Sequence, residues 1–366
     1  MSSGPVGVAV VGAGVISKQY LSTLSGFPDV RVLAVADLDV TRARAAARAH
    51  DVPLAGDLAT VLAEPAVELV VNLTVPAAHV EVARAALRAG KHVYSEKPIA
   101  LLPAEAGKLL EEAAERGLLI GGAPDTFLGA GLQSALRTVG AGHIGAPVAA
   151  STAVCSLGPE GWHPDPAFFY QPGAGPLFDL GPYHLTALVA LFGGVERVAA
   201  SVRRAREDRV SGAGPAAGRS FPVAVPTHVS ALLDFASGPA ATSVFSWDSA
   251  HPHIHFEVIG TEGTLALPDP NTFRGPLRLR PNGAAEWTGL PVRGRTDGRG
   301  LGVVDLARAI RTGERPRASG ALALHVLQTM AAVPESAARG EFTRVATQVV
   351  PPAPLPAEWD PTAATL

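Results

Sequence analysis

Val6-Gly7-Val8-Ala9-Val10-Val11-Gly12-Ala13-Gly14-Val15-Ile16-Ser17 is the stretch that decides the fold. A short, apolar, β-branched run ends in two glycines separated by one residue, and Ser17-Lys18-Gln19-Tyr20-Leu21 then reads as a helix. This is the layout of a phosphate-binding strand–turn–helix. The first glycine permits the tight turn, the second lets the backbone approach a pyrophosphate, and the helix N-terminus presents unpaired N–H groups with partial positive charge. Gly12, Gly14, Val15 and Ile16 are the expected cofactor contacts, and Ser17 occupies the third small position, where Gly or Ala is usual. A Gly-X-Gly pair also occurs in ordinary strand–helix turns, so the rest of the chain has to support the reading.

The 366 residues suffice for two or three domains, and 47% are apolar against 17% charged. That balance and a net charge of −3 exclude a disordered chain and a basic nucleic-acid binder. The single cysteine, Cys155, excludes an intrachain disulfide and a Cys-rich zinc site. The first residues lack a basic, then apolar, leader, and no run of about 18 apolar residues interrupts the chain. A soluble cytoplasmic protein is expected, with no membrane and no nucleic-acid partner.

Val30 to Asp37 reads as a second strand ending in a carboxylate, 25 residues after Gly12. This spacing matches the acidic residue that binds the adenosine ribose hydroxyls, and a carboxylate there repels a 2′-phosphate, favouring NAD over NADP. Asp37-Leu38-Asp39 is also good helix-cap chemistry, and Arg42 stands nearby to soften the preference. The alternation continues with helices over 43–50, 58–62, 80–89 and 104–116 and strands over 68–73, 92–95 and 118–121. Repeated units of this length predict a parallel, doubly wound sheet, whose ligands bind beyond the carboxyl ends of the strands. Asn72, Thr74, Pro76, His79, Glu96, Lys97 and Asp125 all follow strands and fall at that edge.

Gly12-Ala13-Gly14, Asp37, the Thr74-Val75-Pro76-Ala77-Ala78-His79 turn and Glu96-Lys97-Pro98 together resemble the glucose–fructose oxidoreductase / inositol dehydrogenase family, Gfo/Idh/MocA. The resemblance implies an N-terminal Rossmann domain followed by an open-faced, largely antiparallel α/β domain. It also implies NAD as cofactor, with Thr74, Pro76, His79, Glu96 and Lys97 at the cofactor and Lys97 reaching a substrate hydroxyl beside the nicotinamide. Apart from the resemblance, Pro98 restricts Lys97 to extended geometry, and a lysine among so few charges stands out.

Beyond Gly121 the alternation stops. A helix over 131–139 and strands over 148–156, 195–203, 227–235, 240–247 and 253–259 suggest the expected second domain. We therefore divide the chain into a Rossmann domain, residues 1–124, a substrate-binding and oligomerisation domain, 125–345, and a proline-rich C-terminal tail, 346–366. Gly173 to Thr186 resembles the family's glycine-rich Asp-x-Gly-x-His helix, with Tyr183 at the histidine position and His184 one residue later. Some members use tyrosine there as acid/base group, so Tyr183 carries over and His184 does not. Asp179, Tyr183 and Thr186 share one helical stripe beside Leu177, Leu185, Leu188, Val189 and Phe192, which reads as a cleft wall. Pro182 suits only a first turn, so Asp179 also reads as an N-cap, and Tyr183 also reads as packed core.

Asp125 and Thr126, His163 within Gly161-Trp162-His163-Pro164, and His184 complete the expected substrate contacts with Lys97, Asp179 and Tyr183. Phe168-Phe169-Tyr170 is placed to stack on sugar CH groups or to pack the loop. His251, His253 and His255 share a strand face, but no carboxylate or cysteine matches their spacing and no metal is expected. Residues 203–209 read as a mixed-charge loop, solvated or at a subunit contact. The expected function is an NAD-dependent oxidoreductase moving a hydride between nicotinamide and a secondary alcohol of a sugar, cyclitol or related polyol. Tyr183 exchanges the proton, Lys97 stabilises the phenolate and the substrate oxygen, and Asp179 orients the lysine or accepts a hydroxyl hydrogen bond. An NAD-recycling lyase or glycosidase and a non-catalytic nicotinamide-binding regulator remain as alternatives. The resemblance implies a homodimer or homotetramer.

Overall fold

The computed structural model describes residues 3–366, which divide into two compact units. The first comprises the chain up to Gly129, Gly294–Leu327 and Leu355–Leu366; the second comprises Ala130–Arg293 and Gln328–Pro354. The linear division expected from sequence thus differs in three places: residues 125–129 and 294–327 belong with the Rossmann unit, and the proline-rich tail is split, 346–354 falling in the second unit and 355–366 in the first.

In the first unit β1 (Val6–Val11), α1 (Ser17–Leu24), β2 (Val30–Ala36), α2 (Val40–Ala49), β3 (Leu54–Gly56), α3 (Leu58–Leu62), β4 (Leu69–Asn72), α4 (His79–Arg88), β5 (His92–Ser95), α5 (Pro103–Glu115) and β6 (Ile120–Gly122) alternate as expected. The six strands are parallel in the order β3-β2-β1-β4-β5-β6, the doubly wound arrangement. Val6, Val8, Ala9 and Val10 are fully buried, as a strand covered on both faces requires. Strand β3 is absent from the sequence reading because three residues, Leu54-Ala55-Gly56, carry no periodicity. The strand expected over 118–121 begins at Ile120 instead.

The second unit contains α6 (Ala130–Gly140), β7 (Pro147–Cys155), α7 (Pro176–Phe192), β8 (Val195–Arg203), β9 (Asp208–Val210), β10 (Ser220–Pro222), β11 (His228–Phe235), β12 (Ala240–Ser246), β13 (His253–Gly260), β14 (Gly263–Ala266), β15 (Leu277–Pro281) and β16 (Thr288–Leu290). Later in the chain, helix α8 (Leu301–Thr312) belongs to the first unit, α9 (Gly320–Arg339) begins in the first and ends in the second, and strand β17 (Thr343–Arg344) belongs to the second. Nine strands form one sheet in the order β16-β15-β14-β13-β7-β12-β11-β8-β17, antiparallel except where β12 runs parallel to β7. Helix α7 packs on β7, β11 and β12. On the other face the small side chains Ala199, Ser201, Ser230, Thr242, Val244, Ser151 and Ala153 stand in register around Leu232, with Arg197, Asp234 and Glu257 further along the same face. Among the described residues no helix is long and apolar enough to cross a membrane.

Candidate active site

The glycine turn has the build its reading requires. Gly12 has φ +99°, and a Cβ there would meet the Leu73 carbonyl oxygen at 2.6 Å, so only glycine fits between β1 and the end of β4. Gly14 has nothing within 4 Å of a hypothetical Cβ, which leaves its backbone open to a ligand. Val15 is exposed and Ile16 half-buried at the entry to α1. The departure at Ser17 resolves locally: it is buried, and its hydroxyl donates to the Gly14 carbonyl at 2.7 Å. Asp37, at the end of β2, accepts from the Ala13 N–H at 2.8 Å and from the Asp39 N–H at 2.9 Å. Its carboxylate therefore stands at the turn itself. The cap of α2 is Asp39, which accepts from the N–H groups of Thr41 and Arg42. These residues fit the pyrophosphate and ribose of NAD.

Beyond β4 and β5 the chain ties its own loops together. Buried Asn72 donates to the His79 carbonyl at 3.0 Å and accepts from the Thr74 hydroxyl at 2.6 Å. Pro76 opens a short exposed turn. His79 is placed differently from its expected cofactor contact. It is fully buried, with Nδ1 2.7 Å from the Pro98 carbonyl and Nε2 2.9 Å from the Thr74 carbonyl. Its ring bridges the two loops instead of facing a ligand. Glu96 accepts the Tyr20 hydroxyl at 2.8 Å and the Lys97 N–H at 3.0 Å, and the Lys97–Pro98 peptide is cis. Lys97 itself is half-buried at the carboxyl edge of the sheet.

Two expected substrate contacts are corrected. Asp125 is fully buried, and its Oδ2 accepts from the N–H groups of Gly300 and Gly302 at 2.7 and 3.2 Å, at the start of α8. Burial pushes its carboxyl upward, against the nearby Arg299 cation and these backbone bonds. Thr126 beside it is buried as well. A strand-end carboxylate thus serves a helix N-terminus contributed by residues far along the chain, a partnership that spacing in sequence does not reveal.

In the second unit α7 starts at Pro176, with Gly175 at the cap position, so Asp179 is not the N-cap. The Asp179 N–H instead donates to the Gly175 carbonyl at 3.0 Å as part of the first helical turn. Pro182 lies inside the helix, which continues through it because surrounding structure outweighs one missing hydrogen bond. The helix is buried on nearly every side, Tyr183 and Thr186 included, while Asp179 is half-buried. His184 faces the sheet: it stacks on Phe256 at 5.9 Å and meets Phe245 edge-on at 5.7 Å. Burial drives its pKa down to about 3, so it is a neutral core residue and not a substrate contact.

His163 belongs to an aromatic cluster, its ring 5.1 to 5.5 Å from Trp162, Phe168 and Phe169, and its Nδ1 accepts from the Asp165 N–H at 3.1 Å. Trp162 and Phe168 are exposed, whereas Tyr170 is buried against Phe221, Val223 and Trp247. Arg209, expected on a solvated or subunit-contact loop, is buried. It pairs with Glu160 and Asp248 and donates to the carbonyls of Leu157 and Trp247 at 2.8 and 2.9 Å. Tyr170 donates to Glu160 from the same cluster. A run of mixed charge hides one buried member because the run contains nothing to mark it. His251 and His253 stack at 5.6 Å, and His255 lies 4.0 Å from Glu257, which, contrary to the sequence reading, does continue the alternate spacing of the histidines along the strand. Among the described residues no group of three or more His, Cys, Asp or Glu side chains is placed to hold a metal.

Comparison with known proteins matches residues 6–122 to the oxidoreductase family with an NAD-binding Rossmann fold and residues 132–266 to the GFO/IDH/MocA C-terminal domain. A dTDP-3,4-didehydro-2,6-dideoxy-alpha-D-glucose 3-reductase from Streptomyces violaceoruber is 31% identical over 75% of this chain and 77% of its own. The trans-1,2-dihydrobenzene-1,2-diol dehydrogenase of Bos taurus is 28% identical over 71% and 73%. The structure of a levoglucosan dehydrogenase in complex with NADH and L-sorbose shares the fold at a TM-score of 0.78, with 21% identity, 95% of this chain and 100% of that one covered. With its glycine turn, its Glu96-Lys97-Pro98 element and both domains matched, the chain belongs to the Gfo/Idh/MocA family of NAD-binding oxidoreductases.

Proposed function

We propose that the protein is an NAD-dependent dehydrogenase acting on a secondary alcohol of a sugar, cyclitol or related polyol. The observation that carries this reading is the lysine turn. Lys97 follows β5 at the sheet edge where such folds bind ligands, its backbone held by Glu96 and the next carbonyl, that of Pro98, held by His79. Bound NAD supplies the hydride acceptor at its nicotinamide. Lys97 holds the substrate oxygen as negative charge develops on it, a contribution that is large where water is excluded. Tyr183 takes the hydroxyl proton in one direction and returns it in the other. Asp179, four residues earlier on α7, accepts a hydroxyl hydrogen bond and so orients the substrate. The carboxylate of Asp37 at the glycine turn favours NAD over NADP. The names of the two curated relatives, a diol dehydrogenase and a sugar-nucleotide reductase, support chemistry at an oxygen-bearing ring carbon. The face of the second sheet away from α7, with exposed Leu232 among small side chains, supports self-association of two copies or four through that face.

The test is a panel of sugars, inositols and cyclic vicinal diols assayed with NAD and with NADP. Net reduction of NAD is expected for at least one polyol, and Lys97→Ala and Tyr183→Phe should each lower kcat more than tenfold while NADH Kd stays within threefold. Near-normal turnover by Tyr183→Phe overturns the acid/base role. Substrate conversion without net change in cofactor turns the reading to a recycling lyase or glycosidase. For self-association, Leu232→Arg is expected to shift the scattering mass to that of a single chain.

A further inference from the structure

We propose that Tyr20 is a positioning residue for Lys97, linking the helix that receives the pyrophosphate to the lysine turn through the Glu96 carboxylate. The inference rests on the role given to Lys97 above. Three contacts within the first unit carry it. Tyr20 stands on α1, which begins just past the glycine turn, and donates its hydroxyl to Glu96 Oε1 at 2.8 Å. The other oxygen, Oε2, accepts the backbone N–H of Lys97 at 3.0 Å. Thr23, one turn further along α1, donates to the Arg299 carbonyl and so fixes the same helix against the segment leading into α8. One carboxylate is therefore shared between the helix and the lysine turn.

Tyr20 is fully buried, so its hydroxyl has no water to turn to, and an unmade bond there leaves a buried donor unsatisfied. Burial first, and the Glu96 charge second, hold its phenol well above the ordinary range, so it stays a donor at every pH the protein meets. Its ring lies 6.4 Å from that of Tyr94, a second buried phenol on β5, which keeps it in one orientation. A Glu96 released from Tyr20 loses its anchor on α1, and the Lys97 N–H that it accepts is then held less firmly. Holding Glu96 on α1 fixes the backbone from which the Lys97 side chain reaches toward the substrate oxygen. Sequence alone does not suggest this, because Tyr20 and Glu96 are 76 residues apart and a tyrosine in an apolar helix face reads as core.

Hydrogen exchange on the NADH complex tests the proposal. In Tyr20→Phe the Lys97 amide, followed in the peptide over residues 95–99, is expected to exchange at least tenfold faster, with β1 amides within twofold of wild type. NADH Kd should stay within threefold. Glu96→Gln, which removes the charge and one acceptor, is expected to release the same amide, and the double variant to exchange no faster than either single one. For any polyol turned over, Tyr20→Phe should lower kcat at least fivefold with KM for NAD within twofold. Exchange at Lys97 within twofold of wild type in both single variants overturns the proposal, as does an unchanged kcat in a variant whose Lys97 amide is released. Normal turnover by Lys97→Ala overturns the role of the lysine and leaves the exchange result standing, so the two failures are told apart.

Discussion

Gly12 and Gly14 lie two residues apart and answer to different constraints. The first has a left-handed backbone and no room beside Leu73; the second has room for a Cβ, on the turn proposed to receive the pyrophosphate. Gly12→Ala is accordingly expected to cost about 1–3 kcal/mol in urea unfolding as well as cofactor binding. Gly14→Ala is expected to leave stability within about 0.5 kcal/mol while weakening NADH binding severalfold, read by fluorescence titration. His184 supplies a pH prediction. Its folded pKa of about 3 lies below the unfolded value near 6.5, so below pH 6.5 the unfolded chain binds the extra proton and stability falls with pH. Between pH 7 and pH 5 the wild type should lose about 2 kcal/mol that His184→Leu does not lose, as measured by urea unfolding at both pH values.

Among the elements, the short strand β9 depends on a single cation. Arg209 on β9 holds Glu160 from the loop before α7 and Asp248 after β12, and Thr227 donates to the second Asp248 oxygen at 2.6 Å. Replacing it by methionine leaves two carboxylates without their charge partner, and breaking a buried pair from one side costs about 3–5 kcal/mol. Arg209→Met is expected to destabilise the protein by that order in urea at pH 7. Helix α7 shows how an element overrides its local signals. Pro182 argues for a helix start, yet burial of Leu177, Leu185, Leu188 and Val189 against the sheet keeps the chain helical on both sides of it.

At the scale of the molecule the last residues close the Rossmann unit. Asp29 is buried and accepts from the Thr365 N–H and hydroxyl at 2.7 and 2.6 Å, from the Leu366 N–H at 3.1 Å and from Arg308 on α8 at 2.7 Å. Arg308 also donates to the carbonyls of Asp360 and Ala363 and lies 5.0 Å from the Trp359 ring, while Leu355 is buried. Deleting residues 355–366 is expected to lower stability by about 3 kcal/mol, from one buried leucine and several bonds to a charged group. Burial pushes the Asp29 carboxyl up, but the bonds from Thr365 and Arg308 outweigh it and hold the group below the usual carboxylate range. Its contribution is therefore present above the unfolded carboxylate pKa and lost as pH falls below about 4, so the truncated chain should show a shallower acid limb in a pH series.

The parallel sheet was legible in the sequence because most of its strands are short, largely apolar runs closed by turn chemistry, a local pattern; β3, three residues long, was not. Gly12, Gly14, Asp37 and Lys97 could be proposed from sequence for the same reason, since the motifs that hold them depend on spacing along a few strand–turn units. Which of the candidate polar side chains are tied into the fold was decided only by tertiary structure. His79, Asp125 and His184 carry the right residue types at plausible positions, yet each is occupied by groups from distant segments: the Pro98 carbonyl, the start of α8, and Phe245 with Phe256. The proline-rich end and the buried Arg209 follow the same rule. Sequence determines period, turn and motif because these are local. The partner of a buried polar group is set by chain segments that meet only in the folded protein, and no single stretch encodes that meeting.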